Sequence, residues 1–324
     1  MKKRVISLTI FICLLVLCLM IFMRVFNYKY VEGIGTMKNY YKCRENSIDV
    51  VFFGTSHMYN GMNTQVLWDE YGIASYDLCG AIQPLWNTYY YVKEALKTQK
   101  PKLLVVDCYS IIQTGEGIGP AKYIKNIYGM KPSIDKLNAV LTCFEEEKIS
   151  DYILEYPTYH SRYTELTEED FRTNMGHAYL NDWKGYVVYD VIEPQKRNDF
   201  SENIGSCDLY PRCEEYMRKI IELAKENDVP LLLVVLPYSL SEEDTLQYNR
   251  VSEIASEYGV PLINFNYLYD DIGLDFENDL GDYAHLNYIG SEKFTKYFGN
   301  IVTEQYDIPN HKKDDGYETY NIMS

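Results

Sequence analysis

Three side chains in this sequence could together move an acyl group. Ser56 closes the stretch Asp49-Val-Val-Phe-Phe-Gly-Thr-Ser56, and far downstream Asp282-Tyr-Ala-His285 places a carboxyl three residues before an imidazole. A serine hydroxyl is inert at its own pKa and becomes a nucleophile only beside a base. An imidazole serves as that base when a carboxylate holds its tautomer and orientation. A spacing of three lets Asp282 reach His285 within one turn of chain. The expected constellation is a Ser-His-Asp triad in chain order Ser, Asp, His, with an acyl-enzyme intermediate. Taken singly, each motif has a plainer reading. Ser56 could simply cap a helix, and Asp282 with His285 could be a polar turn and cap.

The elements around Ser56 make the chemical reading specific. Ile48 to Phe53 is an apolar run that stops at Gly54, and glycine lets the chain turn sharply there. Further apolar runs at Ala74 to Cys79, Lys102 to Asp107, Pro230 to Leu236 and Pro261 to Phe265 are continuous rather than alternating. Such runs suit strands covered on both faces of a parallel sheet. Helical patterns lie between them at Pro84 to Thr98, Pro211 to Asn227, Thr245 to Tyr258 and Tyr288 to Gln305. The alternation predicts an α/β fold: a three-layer, doubly wound, mostly parallel five-stranded sheet of flavodoxin-like type. Open α/β sheets bind ligands beyond the carboxyl ends of their strands, where Ser56 is expected.

Between about 111 and 207 the alternation fails. The stretch is rich in Tyr and charge, with short helix signals only at Ser133 to Leu141, Glu147 to Glu155 and Thr167 to Asn174. It is expected to be an insertion or cap beside the active edge. Within it, Tyr159-His160-Ser161-Arg162-Tyr163 joins a cation, an imidazole and aromatic rings, a cluster able to grip a phosphate or a sugar or to form a structural knot. His57, next to the nucleophile, is a candidate substrate contact or a bystander of the turn.

The N-terminus is different in kind. Lys2, Lys3 and Arg4 precede the apolar run Val5 to Met23, and Arg24 follows it. That length suits a bilayer span better than the shorter core of a cleaved signal, and no small-x-small cleavage pattern follows. The expected organisation is a basic end and transmembrane anchor at 1–24, a juxtamembrane segment at 25–47, one domain at 48–306 and a flexible tail at 307–324. The basic end predicts a cytoplasmic N-terminus and an extracytoplasmic domain. A cleaved signal peptide is the alternative.

Beyond the anchor, 27 basic against 47 acidic side chains balance at −20, which excludes nucleic acid as a partner. Six cysteines lie outside the anchor, and Cys207 with Cys213 is the candidate disulfide. No CxxC pair or Cys/His cluster has zinc spacing, so neither metal nor cofactor is expected.

These blocks resemble the SGNH (GDSL-like) hydrolase superfamily over roughly Ser47 to Gln305, apart from the insertion. Gly54-Thr55-Ser56 matches its nucleophile block, with Thr55 where Asp is usual. Gly80 in Asp77-Leu-Cys-Gly-Ala matches its second block, and Asp282-Tyr-Ala-His285 its terminal block. The resemblance implies Ser56 as nucleophile, His285 as base and Asp282 as its orienting partner. It also implies an oxyanion hole from the N–H groups of Ser56 and Gly80. The family's third block, Gly-x-Asn-Asp, has no match, because Leu103-Leu-Val-Val-Asp107 runs into Cys108-Tyr109-Ser110. Gln83, foremost, or Asn87 or Tyr109 could supply the missing donor or a substrate contact. Departures of this kind resemble the membrane-anchored branch, DltD-type D-alanyl transfer proteins and polysaccharide O-acyltransferases. The resemblance implies ester hydrolysis or O-acyl transfer on a cell-surface glycan, with a multi-span membrane acyltransferase as a possible partner. The competing expectation is a degenerate SGNH fold that binds a glycan or an assembly partner without catalysis.

Overall fold

The computed structural model describes residues 2–112, 118–144, 149–153, 155–171, 183–198 and 204–321. Helix α1, Lys2–Phe26, is the apolar N-terminal segment; none of its residues is fully buried, and Phe22, Met23 and Phe26 at its end pack partly against the first core. It is long and apolar enough to cross a membrane. A short helix α2, Thr36–Tyr40, follows.

Five strands form one parallel sheet in the order β2-β1-β3-β4-β5. They are β1 Val50–Phe53, β2 Ser75–Asp77, β3 Leu103–Asp107, β4 Leu231–Val235 and β5 Leu262–Asn264. The register sets Phe53 opposite Val106, so β1 and β3 end side by side. Alternate strand residues serve different cores, as the two-residue period of a strand requires. Val51, Phe53, Leu104, Val106, Leu233 and Val235 join one apolar cluster. Val50, Phe52, Leu103, Val105, Leu232 and Val234 join the other. A strand buried on both faces has no polar side to alternate, which is why these runs read as continuous.

The first core is roofed by α4 Leu85–Leu96, α6 Ile134–Cys143, α7 Pro211–Glu226 and α8 Glu242–Tyr258. The second is covered by α3 Ser56–Gly61 and α9 Tyr288–Gln305, through Met58, Phe294, Phe298 and Val302. Local chemistry fixes the helix ends. Ser241 and Asp244 form a reciprocal capping box at the start of α8, and Gly259 ends it in the left-handed region at φ +66°. The Asn287 side chain accepts from the N–H groups of Ile289 and Gly290 at the start of α9.

The insertion shares the first core: Tyr123, Ile124 and Ile127 of α5 (Pro120–Ile127) lie in the same cluster as Val51 and Leu104. Helix α5 had no counterpart among the sequence signals. The helix expected at Ser133 to Leu141 is α6, capped by Ser133. The other two are shorter, Ile149–Ile153 and Glu168–Phe171, and the remainder of each expected range lies partly outside the described residues.

Two expectations are corrected. The segment from 307 to Asn321 is not loose, because it carries aromatic anchors. Tyr317 and Tyr320 stack on Trp68 with centroids 6.2 and 4.9 Å away, and Trp68 Nε1 donates to Asn321 Oδ1 at 2.9 Å. His311 bridges Asp49 and Asp314 at 2.7 Å each. Cys207 and Cys213 are free thiols: Cys213 is turned into the core from α7, while Cys207 stays half-exposed before it.

Candidate active site

The strand order reverses direction at β1, with β2 on one side and β3 on the other. Crevices form at such switch points beyond the strand ends. Ser56 follows β1 there, and Asp107 to Tyr109 follow β3.

The turn into α3 is sterically forced. A Cβ on Gly54 would lie 2.9 Å from Met58 Cβ and 3.0 Å from Asp107 Cβ, so only glycine fits between β3 and the first turn of α3. Thr55 is extended and its hydroxyl accepts from His57 N–H at 3.2 Å, which caps α3. The cap falls to Thr55 and leaves the Ser56 hydroxyl for other work.

That hydroxyl meets His285. Ser56 Oγ and His285 Nε2 are 2.8 Å apart, across 229 positions of sequence. On the far side of the ring, His285 Nδ1 lies 2.9 Å from both Asp282 oxygens. Asp282 Oδ1 also accepts from the N–H groups of Ala284 and His285, at 2.8 and 2.9 Å. The four-residue turn therefore aims the carboxyl at the imidazole without help from elsewhere. Partial burial acts to raise the Asp282 pKa. The bond to His285, the Ala284 N–H, the imidazole's charge and Tyr189 outweigh it and hold the carboxyl at about 2. Asp282 is a carboxylate throughout the neutral range. Ser56 and His285 are half-buried, and Tyr283 beside them is exposed, so the site opens to solvent.

Tyr189 is a neighbour of Asp282 and His285 that sequence reasoning missed. Its hydroxyl donates to Asp282 Oδ2 at 3.1 Å, and its ring stands edge-on to His285 with centroids 5.7 Å apart. It comes from the insertion, whose residues 183–198 run along the strand ends. Val187 N–H donates to Tyr59 C=O at 2.8 Å, and Asn60 Nδ2 donates to Val187 C=O at 2.7 Å. Nothing in a Tyr-rich stretch distinguishes Tyr189 from its neighbours. Tyr59 was missed as well. It is three residues after Ser56 on α3 and almost fully buried. Burial, with Glu32 and Cys79 nearby, pushes the phenol well up, so it stays a donor.

The remaining sequence candidates are distributed differently from expectation. His57 does not face substrate. It is 1% exposed, its Nδ1 is 3.0 Å from Asp107 Oδ2, and its ring stacks on Tyr109 with centroids 4.3 Å apart. Tyr109 therefore packs over that pair at the end of β3, and burial together with Tyr283, Asp244 and Asp107 raises its pKa. Gly80 N–H donates to Gly54 C=O at 3.2 Å, so it already has a partner in this arrangement. Asn126 of α5 closes over Gly80: a Cβ there would fall 1.8 Å from Asn126 Oδ1. Gln83 is fully buried and donates to Thr88 Oγ1 at 3.0 Å. Asn87 is buried on α4 with Cys143 Sγ 2.7 Å from its Oδ1.

Arg162 is at the foot of α1, where its guanidinium donates to the carbonyls of Phe26 and Asn27 at 2.7 and 2.6 Å. His160 is exposed beside Tyr163. Arg162 thus bonds carbonyls at the end of α1, a structural use of the cation. Among the described residues, no group of three or more His, Cys, Asp or Glu side chains is arranged to hold a metal ion.

No protein-family model and no curated protein matches the chain. Solved structures do. A protein assigned to the G-D-S-L lipolytic family from Desulfitobacterium hafniense aligns at 13% identity and TM-score 0.39, over 79% of this chain and 99% of its own. A protein assigned as an acylhydrolase, from Bacteroides fragilis, aligns at 12% and 0.42, over 82% and 93%. A GDSL-like lipase from Bacteroides thetaiotaomicron aligns at 12% and 0.41, over 83% and 98%.

Proposed function

We propose that this chain is a serine acyl-transfer enzyme of the SGNH type, acting on an acyl ester. The observation that carries the reading is the 2.8 Å approach of Ser56 Oγ to His285 Nε2, with Asp282 on the opposite ring nitrogen. In this reading His285 Nε2 takes the Ser56 proton as Oγ bonds to the acyl carbon. The carbonyl oxygen becomes an oxyanion, and His285 returns the proton to the departing alcohol. An acyl-Ser56 ester remains. The oxygen of water or of an incoming sugar hydroxyl then bonds to the acyl carbon as His285 Nε2 takes its proton, and Ser56 Oγ leaves and takes that proton back from His285. Asp282 keeps the imidazole in the tautomer that accepts at Nε2.

The oxyanion needs donors, and the Ser56 N–H is one, since the first residue of a helix has no carbonyl inside the helix to bond. The Tyr59 phenol is the second in this proposal, in place of Gly80, Gln83 or an asparagine after β3. Tyr59→Phe is then expected to lower kcat by about 10²–10³ while leaving KM within a few-fold, as for loss of one oxyanion donor. Unchanged kcat in steady-state ester hydrolysis would remove Tyr59 from the mechanism.

With α1 as an uncleaved anchor, the domain at 48–306 works beside a membrane on the extracytoplasmic side. The opening of the site to solvent supports a bulky glycan acceptor better than a small enclosed one. A cell-surface polysaccharide is the acceptor class proposed, with a multi-span membrane acyltransferase as acyl source. The direct test is a fluorophosphonate probe on the full chain. Labelling of the wild type and none of Ser56→Ala supports the enzyme. A folded protein that takes no label is instead a binding module.

A further inference from the structure

Where α1 meets the domain, the structure holds a cavity of about 580 Å³ that the acyl-transfer reading leaves unused. One wall is apolar and belongs to α1: Val16, Leu19, Met20 and Met23. The other end is basic. Arg24, Lys38 of α2 and Lys136 of α6 line it, and among the described lining residues the one carboxylate, Glu155, is paired with Lys136. Tyr128 and Tyr159 complete that end. Val16 and Arg24 are eight residues apart, so the apolar wall runs about 12 Å along the helix before the cations begin.

We propose that this cavity binds one anionic membrane phospholipid, its phosphate beside Lys38 and Arg24 and its acyl chain along Val16 to Met23 of α1. The occupant follows from three features. The apolar wall is part of the segment able to span a bilayer, so acyl chains are the medium that surrounds it. The cationic end departs from the −20 balance beyond the anchor, a surface that by itself would be repelled by anionic lipid. Aromatic rings mark the same level, as at a membrane interface: Phe22 stacks on Phe26 at 4.2 Å, and Tyr28 on Tyr30 at 5.3 Å.

The junction is rigid enough to make a site. Arg162 is bonded to Phe26 and Asn27, and Lys29 Nζ donates to Val25 C=O at 2.9 Å and pairs with Asp170 at 2.6 Å. Lys38 also gains from an anion. Burial pushes its ammonium below the ordinary range, and Lys136, Lys42 and Lys29 add to this, with Glu155 opposing. A phosphate in the cavity would offset both the desolvation and the like charges.

The test uses the full-length chain, whose intact mass reports whether α1 is retained. Delipidated protein is exposed to phosphatidylglycerol or phosphatidylcholine, and retained lipid is counted by native mass spectrometry. Retention of one phosphatidylglycerol, at least about fivefold over phosphatidylcholine, is the expected result, with Lys38→Gln losing about fivefold, the worth of one cation near an anionic headgroup. Ester turnover of Lys38→Gln stays at the wild-type level, since Lys38 is outside the catalytic group. Equal retention of the two lipids would mean ordinary annular lipid and would overturn the site. So would displacement of the lipid by inorganic phosphate, or an intact mass lacking α1. The lipid preference of the wild type is read without any variant, and it holds or fails separately from the triad.

Discussion

Ser56→Ala, His285→Ala and the double variant are expected to lose the same share of turnover, on the order of 10⁴–10⁶ in kcat, and not the product of two losses. The reason is geometric. With Oγ and Nε2 at 2.8 Å, the hydroxyl is a nucleophile only while the imidazole takes its proton, so removing either group removes the same step. KM is expected to move little, because neither group is needed to hold an ester in an open site. Asp282→Asn keeps the turn and loses the carboxylate that fixes the tautomer, and a drop of about 10²–10⁴ follows. Its effect on stability has a definite sign. The Asp282 carboxyl is held at about 2, below the ordinary carboxylate range, so its contribution is complete above the ordinary pKa of about 3.9. That contribution fades as pH falls toward 2. The wild type should therefore gain over Asp282→Asn in urea midpoint at pH 7 and converge with it near pH 2. Near-normal turnover of His285→Ala, or losses that multiply in the double variant, would sink the assigned base.

Much of this arrangement was legible in the chain before any coordinates. The five apolar runs contain the five strands, each trimmed by one to three residues, because strands covered on both faces of a sheet announce themselves by composition. The pairing of Ser56 with His285 was legible through motif spacing and the rule that ligands gather at strand ends. What was not legible is whatever depends on packing rather than period. Tyr189 and Asn126 reach the site as polar-tipped side chains of the insertion, and an apolar period such as that of Tyr123, Ile124 and Ile127 does not say which polar groups point inward. The tail misled for a related reason. Its charges argued for looseness, yet Tyr317 and Tyr320 fasten it beside Trp68. Arg162 and His57 misled in the opposite way, since polar residues near a candidate site read as substrate contacts when burial is unknown.

His57 is the clearest case, and it leads to the largest expected effect on stability. Directly after Ser56, it turns away from solvent into a buried contact with Asp107 at the end of β3, both side chains at most 1% exposed. Tyr109 stacks on its ring, and Tyr238 stands edge-on at 5.3 Å. The contact ties the turn after β1 to the turn after β3 at the sheet's switch point. Removing one member leaves the other buried without its partner, so Asp107→Ala or His57→Phe is expected to cost about 3–5 kcal/mol in urea unfolding. His57→Phe keeps the ring stack and strips only the Nδ1 contact, which separates the polar loss from a packing loss. Combining His57→Phe with Asp107→Leu should recover most of that cost, because an apolar pair of similar volume needs no desolvation. Recovered stability need not restore activity. The Ser56 turn would then rest on an apolar contact with no direction, and proton transfer needs the 2.8 Å separation of Ser56 Oγ and His285 Nε2 kept to within a few tenths of an ångström. Single losses below about 1 kcal/mol that simply add in the double variant would mean that the pair fills space and holds nothing in register.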